Sequence, residues 1–228
     1  MEPLAENIYR IRERIQAAVR RSGRQPEAIR LVAVTKTVDA ERIRAAVALG
    51  VSEIGENYVQ EAAWKLPVLA DLSITRHFIG HLQRNKARRA VEWFDVVQSI
   101  DSLPLAESLS RQAVALEREL EVLVEVNVAG EATKSGVAPE EALALAERVA
   151  PLPGLKLTGL MGIAPLAGDA GEARRAFRSL RQLFDQLPSS HRQVLSMGMT
   201  GDFEIALEEG STMVRIGTGI FGLRRTPA

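Results

Sequence analysis

Leu31-Val32-Ala33-Val34-Thr35-Lys36 is an apolar, β-branched stretch that ends on a lysine. A continuous run of this kind is typical of a strand buried on both faces, as in a parallel sheet covered by helices. The Lys36 amine should then emerge at the carboxyl end of a core strand.

Similar short apolar runs recur along the chain, and longer amphipathic segments lie between them. The predicted strands are Arg30–Thr35, Ser52–Ile54, Thr75–Ile79, Asp95–Ser99, Val122–Asn127, Lys156–Leu160, Gln193–Met197 and Met213–Ile216. Helical patterns include Leu4–Arg21, Asp39–Leu49, Leu103–Leu120, Pro139–Val149 and Ala170–Leu187. Such βα units predict an α/β protein: a single (β/α)8 TIM-type barrel domain over residues 1–228, with an extra amino-terminal helix. A doubly wound open sheet is the alternative.

The composition favours a small-molecule ligand. The 228 residues include 29 acidic and 29 basic side chains, so no net charge attracts nucleic acid or a membrane surface. Cysteine is absent and only three histidines occur, which disfavours a metal site. No apolar run approaches the roughly 20 residues of a membrane span. We therefore expect a cytoplasmic protein without nucleic-acid or membrane partners.

Lysine is rare, with five residues against 24 arginines. Arginine replaces lysine as a surface cation, but it cannot lose its proton and attack a carbonyl to form a Schiff base. Taken alone, Lys36 is better explained as a strand-end side chain whose amine reaches solvent. Its chemistry becomes relevant when other strand ends are considered.

Two loops rich in glycine and hydroxyl groups follow the last two strands. They are Ser196-Met197-Gly198-Met199-Thr200-Gly201-Asp202 and Arg215-Ile216-Gly217-Thr218-Gly219-Ile220-Phe221-Gly222. Either loop alone suits ordinary turn and capping chemistry. Together, after strands seven and eight of a barrel, they indicate a phosphate site. Arg215 points either into the barrel mouth or outward to a carboxylate, and the sequence does not decide between them.

A reactive lysine, a phosphate site and an arginine on the last strand together suit one cofactor, pyridoxal 5′-phosphate (PLP). PLP carries an aldehyde, a phosphate and a ring nitrogen between them. A Schiff-base aldolase or sugar-phosphate isomerase on the same barrel is the alternative, although it would not need the arginine.

Several motifs resemble those of the PLP homeostasis protein family, which in turn is similar to the barrel domain of alanine racemase. The resemblance runs essentially end to end. It rests on Ala33-Val34-Thr35-Lys36-Thr37, Gly55-Glu56-Asn57-Tyr58-Val59-Gln60-Glu61, His77-Phe78-Ile79-Gly80 with Leu82-Gln83 and Asn85-Lys86, Ser196-Met197-Gly198-Met199-Thr200 with Asp202, and Val214-Arg215-Ile216-Gly217-Thr218 with Ile220-Phe221-Gly222.

The resemblance implies a cofactor site. Lys36 would hold PLP as a Schiff base, and Arg215 would meet the ring nitrogen. The phosphate would contact Ser196, Gly217 and Thr218. The same site would include Asn57, Met197, Gly198 and Thr200, the last replacing the serine usual in the family.

The expected role is intracellular PLP homeostasis, by buffering the cofactor or delivering it to apo forms of PLP-dependent enzymes, without amino-acid turnover. The resembled racemases take a second proton-transfer group, a tyrosine, from an additional domain and a partner subunit, and we expect that group to be missing here. A low-activity amino-acid racemase or lyase is the alternative. Lys134, in the polar loop after strand five, is either a transit site through which PLP enters or leaves or an ordinary solvated loop lysine, and the sequence does not decide whether Lys86 has such a role.

Overall fold

The computed structural model describes residues 2–25, 29–131, 135–165 and 168–223, and it confirms the predicted barrel. The strands are β1 (Arg30–Val34), β2 (Glu53–Glu56), β3 (Thr75–Phe78), β4 (Val96–Ile100), β5 (Leu120–Val126), β6 (Leu155–Gly162), β7 (Val194–Ser196) and β8 (Met213–Ile216). Each strand pairs in parallel with its neighbour in sequence, and β8 pairs with β1. Because the sheet closes on itself, the open-sheet alternative is wrong.

Helices surround the barrel. They are α1 (Glu2–Arg21), α2 (Ala40–Ala48), α3 (Val59–Lys65), α4 (Ala87–Trp93), α5 (Leu103–Ala115), α6 (Ala142–Val149), α7 (Ala170–Gln186), α8 (Phe203–Glu208) and α9 (Thr218–Phe221). Short 3-10 turns occupy Leu66–Leu69, Arg84–Lys86, Pro139–Glu141 and Ser189–His191. None of the helices in the described segments is long and apolar enough to cross a membrane.

The helix predicted over Leu103–Leu120 is too long by five residues. It ends at Ala115 because Glu117 adopts a left-handed backbone with φ 50°. The Arg118 amide then donates to the Ala113 carbonyl, which closes the helix end, and Leu120 opens β5. Helices often end on such a left-handed residue, but glycine usually occupies that position. Because position 117 is a glutamate, the sequence does not indicate that the helix ends here.

The amino-terminal helix α1 supports the last βα unit. Its buried side chains recur at helical spacing, at Leu4, Ile8, Ile11 and Ile15. The Asn7 side-chain amide donates a 3.0 Å hydrogen bond to the carbonyl oxygen of Ile220 in α9. Helix α1 therefore holds α9 in place, and α9 lies within the second predicted phosphate loop.

The barrel interior is layered. One apolar layer is formed by Val32, Leu123, Met161, Val194 and Met213. Side chains two positions further along a strand face the same side. Glu125, Ser196 and Arg215 therefore point into the interior one layer nearer the carboxyl end, where barrel sites usually lie.

Candidate cofactor site

Lys36 lies in the turn between β1 and α2, two residues after the strand ends. The turn borders a cleft of about 480 Å³, which is within the range of roughly 300–1,000 Å³ typical of small-molecule sites. Gly217 and Thr218, from the loop after β8, line the same cleft. The structure therefore brings the predicted reactive lysine and two predicted phosphate residues to one cavity.

A buried charged cluster holds the backbone on both sides of Lys36. Lys65 of α3 has no exposed surface, and its Nζ donates to the carbonyl oxygen of Thr35 at 2.8 Å. The same Nζ contacts Glu56 Oε1 at 2.8 Å and Glu61 Oε1 at 2.7 Å. Glu61 Oε1 also accepts a 2.5 Å hydrogen bond from the amide of Thr37, whose φ is 64°. Residues before and after Lys36 are thus tied to one cluster.

Burial shifts the ionisation of this cluster. Desolvation raises the pKa of the Glu56 carboxyl, while Lys65 and the Thr35 hydroxyl act in the opposite direction. Glu56 Oε2 is buried and has no hydrogen-bond partner among the described residues. The contacts of the cluster are therefore concentrated on Oε1, the oxygen that faces Lys65.

Arg215 points into the barrel, which resolves the choice that the sequence left open. Its side chain is buried with 3 % of its surface exposed. Arg215 Nη1 donates to the Ser196 hydroxyl at 2.5 Å, and Nη2 donates to the Gly162 carbonyl oxygen at 3.0 Å. These contacts hold the guanidinium at the carboxyl end of the barrel.

Acidic groups surround the Arg215 guanidinium. Desolvation lowers its pKa to about 10, against the opposing influence of Glu125 and Asp202. Desolvation raises the pKa of the Glu125 carboxyl to about 7; Asp101 raises it further and Arg215 opposes the shift. Glu125 therefore changes charge near neutral pH beside Arg215.

The loop after β7 is fixed to the loop after β8. Gly198 has φ 97°, and a β-carbon there would lie 2.6 Å from Ala206 Cβ, so glycine is required. Its carbonyl accepts a 3.0 Å hydrogen bond from the Arg215 amide. The Thr200 hydroxyl accepts a 3.3 Å hydrogen bond from the Gly219 amide. Thr200 and Gly198 thus shape the loop that carries Thr218.

Other predicted site residues do not line the Lys36 cleft. The Ser196 hydroxyl lies in the barrel interior between Arg215 and Gln98. Met197 is fully buried in the core. Asn57 lines a neighbouring cleft together with Lys86, and its buried Oδ1 has no partner among the described residues. Lys134 lies outside the described residues.

Two features of the site are missing from the sequence prediction. Lys65 lies four positions after Glu61, which is also the spacing of an ordinary surface ion pair on a helix. Gln98 lies in a largely apolar strand, β4, whereas His77 follows two other polar residues in β3. A polar residue within a buried strand is a usable signal, since buried polar groups require partners.

Comparisons with known proteins identify the relatives of this fold and cleft. The family model "Alanine racemase, N-terminal domain" matches residues 7–225. The pyridoxal phosphate homeostasis protein of Pseudomonas aeruginosa is 46% identical over 224 residues, which cover 98% of this chain and 97% of that protein. The corresponding Escherichia coli protein is 44% identical over 229 residues, with 98% of each chain covered. This chain belongs to the pyridoxal phosphate homeostasis protein family.

Solved structures agree with this membership. PipY of Synechococcus elongatus, determined with PLP bound, is 37% identical and superposes with a TM-score of 0.83 over 96% of this chain and 100% of that one. Alanine racemase of Clostridium difficile is 14% identical, with a TM-score of 0.75 over 99% of this chain and 58% of that one. The second comparison shows a shared fold alone.

The residues of the cleft fit PLP. Among the residues that line the cleft, Lys36 supplies an amine, Thr218 a hydroxyl and Gly217 a half-buried stretch of backbone. A β-carbon at Gly217 would make an ordinary van der Waals contact with Val34 Cβ at 3.4 Å, and Val34 lines the same cleft. Arg215 belongs to β8, which lies between β7 and β1, and it is paired in register with Val32 of β1 at the same barrel end.

Proposed function

We propose that the chain is a single-domain PLP-binding protein that keeps the cofactor available in the cell, by buffering it or delivering it to apo forms of PLP-dependent enzymes. One observation carries the proposal: Lys36 and the Gly217-Thr218 turn line one cleft. The family relatives are named for PLP homeostasis, and PipY binds PLP. We infer that this chain does likewise.

Each residue has a defined part in the proposal. Lys36 holds the cofactor aldehyde as a Schiff base, and the amide and hydroxyl groups of Gly217 and Thr218 bind its phosphate. Charge-assisted hydrogen bonds of this type contribute roughly 1.5–3 kcal/mol each. Arg215 faces the ring nitrogen. When bound, PLP supplies an electron-withdrawing ring that is conjugated to the amine it captures.

An arginine at the ring nitrogen favours storage and delivery of the cofactor over amino-acid chemistry. A guanidinium only donates hydrogen bonds, so it favours an unprotonated ring nitrogen and weakens the electron-withdrawing power of the ring. Racemisation also needs two opposed proton-transfer groups. Tyr9 and Tyr58 are 66% and 57% exposed, respectively, and neither lines the Lys36 cleft.

The proposal is tested by locating the cofactor. Purified protein is titrated with PLP and followed by absorbance, then reduced with borohydride and mapped by peptide mass spectrometry. The label should lie on Lys36, and Lys36→Arg should abolish the absorbance band without unfolding the protein. Lys156→Arg is the matched control, because Lys156 is exposed on β6. Label mainly on Lys65 or Lys156 would contradict the assignment.

A further inference from the structure

A chain of side-chain hydrogen bonds crosses the interior of the barrel and ends on Arg215. Arg215 Nη1 lies 2.5 Å from Ser196 Oγ, which lies 2.6 Å from Gln98 Oε1. Gln98 Nε2 lies 2.9 Å from His77 Nδ1, and His77 Nε2 lies 2.8 Å from Glu53 Oε2. The members come from five strands: β8, β7, β4, β3 and β2.

The hydrogen bonds run in one consistent order from Arg215, in which the Ser196 hydroxyl donates to Gln98. A guanidinium has donors only, so the Ser196 oxygen accepts from it and the single Ser196 proton goes to Gln98 Oε1. The Gln98 amide must then present its NH₂ group to His77. His77 Nδ1 is therefore the acceptor, and its ring proton resides on Nε2.

The hydrogen-bond chain ends at the carboxylate of Glu53, which accepts the last proton in this order. Arg30 Nε donates to Glu53 Oε1 at 3.0 Å. Burial opposes ionisation of Glu53, but hydrogen bonds from His77 and Arg30, together with their charge interactions, outweigh it and keep the pKa of this carboxyl below its ordinary value. Glu53 is accordingly an acceptor for the His77 Nε2 proton. One arrangement of donors and acceptors satisfies the whole chain.

We propose that Gln98 and His77 are positioning residues that fix the Arg215 guanidinium, through Ser196, in the orientation that meets the bound cofactor ring. The inference rests on the proposed function and deepens it. Gln98, His77 and Ser196 have no more than trace exposure, so water does not compensate for a broken link. Arginine has many rotamers, and a fixed acceptor at Ser196 removes that freedom before the cofactor arrives.

The first test uses cofactor-free protein and does not depend on PLP. The chain sequence contains three histidines, so ring ¹⁵N NMR signals are readily assigned with a His77→Gln variant. His77 should carry a ring proton on Nε2, with Nδ1 accepting from the Gln98 amide. A proton on Nδ1, or a doubly protonated ring, would overturn the inference.

The second test measures cofactor binding. Gln98→Met keeps the length of the side chain but removes its hydrogen bonds to Ser196 and His77, so PLP affinity should fall about tenfold or more and the absorbance maximum of bound PLP should shift. Gln193→Met, at an exposed position before β7, is the matched control and should behave as the unsubstituted protein. Unchanged affinity and spectrum in Gln98→Met would overturn the inference.

Gln98→Glu separates positioning from simple loss of packing. A carboxylate still accepts from Ser196 but cannot donate to His77, so His77 Nδ1 should change from acceptor to donor while PLP affinity exceeds that of Gln98→Met. This variant also replaces Gln98→Met if the latter does not fold. Equal weakening in both variants would contradict a role through Ser196. If the unsubstituted protein binds no PLP, the proposed function fails, while the NMR result still reports on the hydrogen-bond chain.

Discussion

Lys65 Nζ donates a 2.8 Å hydrogen bond to the Thr35 carbonyl oxygen, immediately before Lys36, from a side chain with no exposed surface. A buried lysine is costly unless it is paired and hydrogen-bonded. Glu56 and Glu61 provide that pairing. The turn that carries Lys36 is thus held by a paired lysine that has no exposed surface.

Replacing Lys65 should destabilise the protein strongly. Lys65→Met removes three hydrogen bonds and leaves the two glutamates without their cation, so the free energy of unfolding should fall by about 3–5 kcal/mol. Urea denaturation followed by circular dichroism measures this change. Lys156→Met, at an exposed strand position, should change it by less than about 0.5 kcal/mol. A loss below about 1 kcal/mol in Lys65→Met would show that the cluster contributes little to stability.

Glu125 should make stability depend on pH. Its pKa of about 7 in the folded protein exceeds the ordinary value of 4.5. Its contribution to stability is therefore full below about pH 4.5 and is lost as pH rises through 7. Between pH 5 and pH 8, the unfolding free energy of the unsubstituted protein should fall by roughly 2–3 kcal/mol relative to that of Glu125→Gln.

The comparison requires a control for other titrating groups. Glu147→Gln alters an exposed residue of α6 and should follow the unsubstituted protein at both pH values. Urea unfolding of all three proteins at pH 5 and pH 8 supplies the measurement. A constant difference between Glu125→Gln and the unsubstituted protein would mean that Glu125 titrates normally.

Strand order and the place of Lys36 could be predicted because they depend on local patterns. The alternation of apolar runs with amphipathic segments fixed the βα units, and the closed pairing of β8 with β1 confirmed the barrel. The direction of Arg215 could not be predicted, since it depends on the register that pairs it with Val32. The burial of Lys65 depends on how α3 packs beneath the turn after β1, which no local pattern encodes.

Ser196 shows a similar limit. The loop sequence suggested a hydroxyl for phosphate, but the side chain of a strand residue points to one face only. Ser196 is the last residue of β7, and its hydroxyl points inward to Arg215 and Gln98. The predicted contact between Ser196 and the phosphate stays a prediction, which the Thr218 and Ser196 variants test.

Thr218 and Ser196 should affect different parts of the ligand. Thr218→Val removes a hydroxyl at the cleft and should weaken PLP binding about tenfold, with little effect on pyridoxal, which lacks the phosphate. Ser196→Ala should weaken both ligands by a similar factor, because it acts on Arg215. Fluorescence titration of each variant gives the affinity ratios.

Thr75→Val, at the start of β3 and the opposite end of the barrel, is the matched control. It should leave both affinities unchanged. Two outcomes would contradict the assignments. Equal loss of PLP and pyridoxal binding in Thr218→Val would remove Thr218 from the phosphate site, and selective loss of PLP binding in Ser196→Ala would return Ser196 to it.

A protein that stores and delivers PLP and one that turns over amino acids should give opposite results in one experiment. PLP-loaded protein is incubated with each common L-amino acid, and chiral chromatography follows the D-enantiomer or any other product. In parallel, it is mixed with an apo form of a PLP-dependent enzyme, whose recovered activity reports transfer. Positioned acid–base groups contribute roughly 10²–10⁴-fold each, so a site lacking one of them should give turnover that is hard to detect. Transfer should be faster than spontaneous release of PLP, measured with a trap for free PLP. Sustained turnover of one amino acid that is lost in Lys36→Ala would establish a racemase or lyase instead.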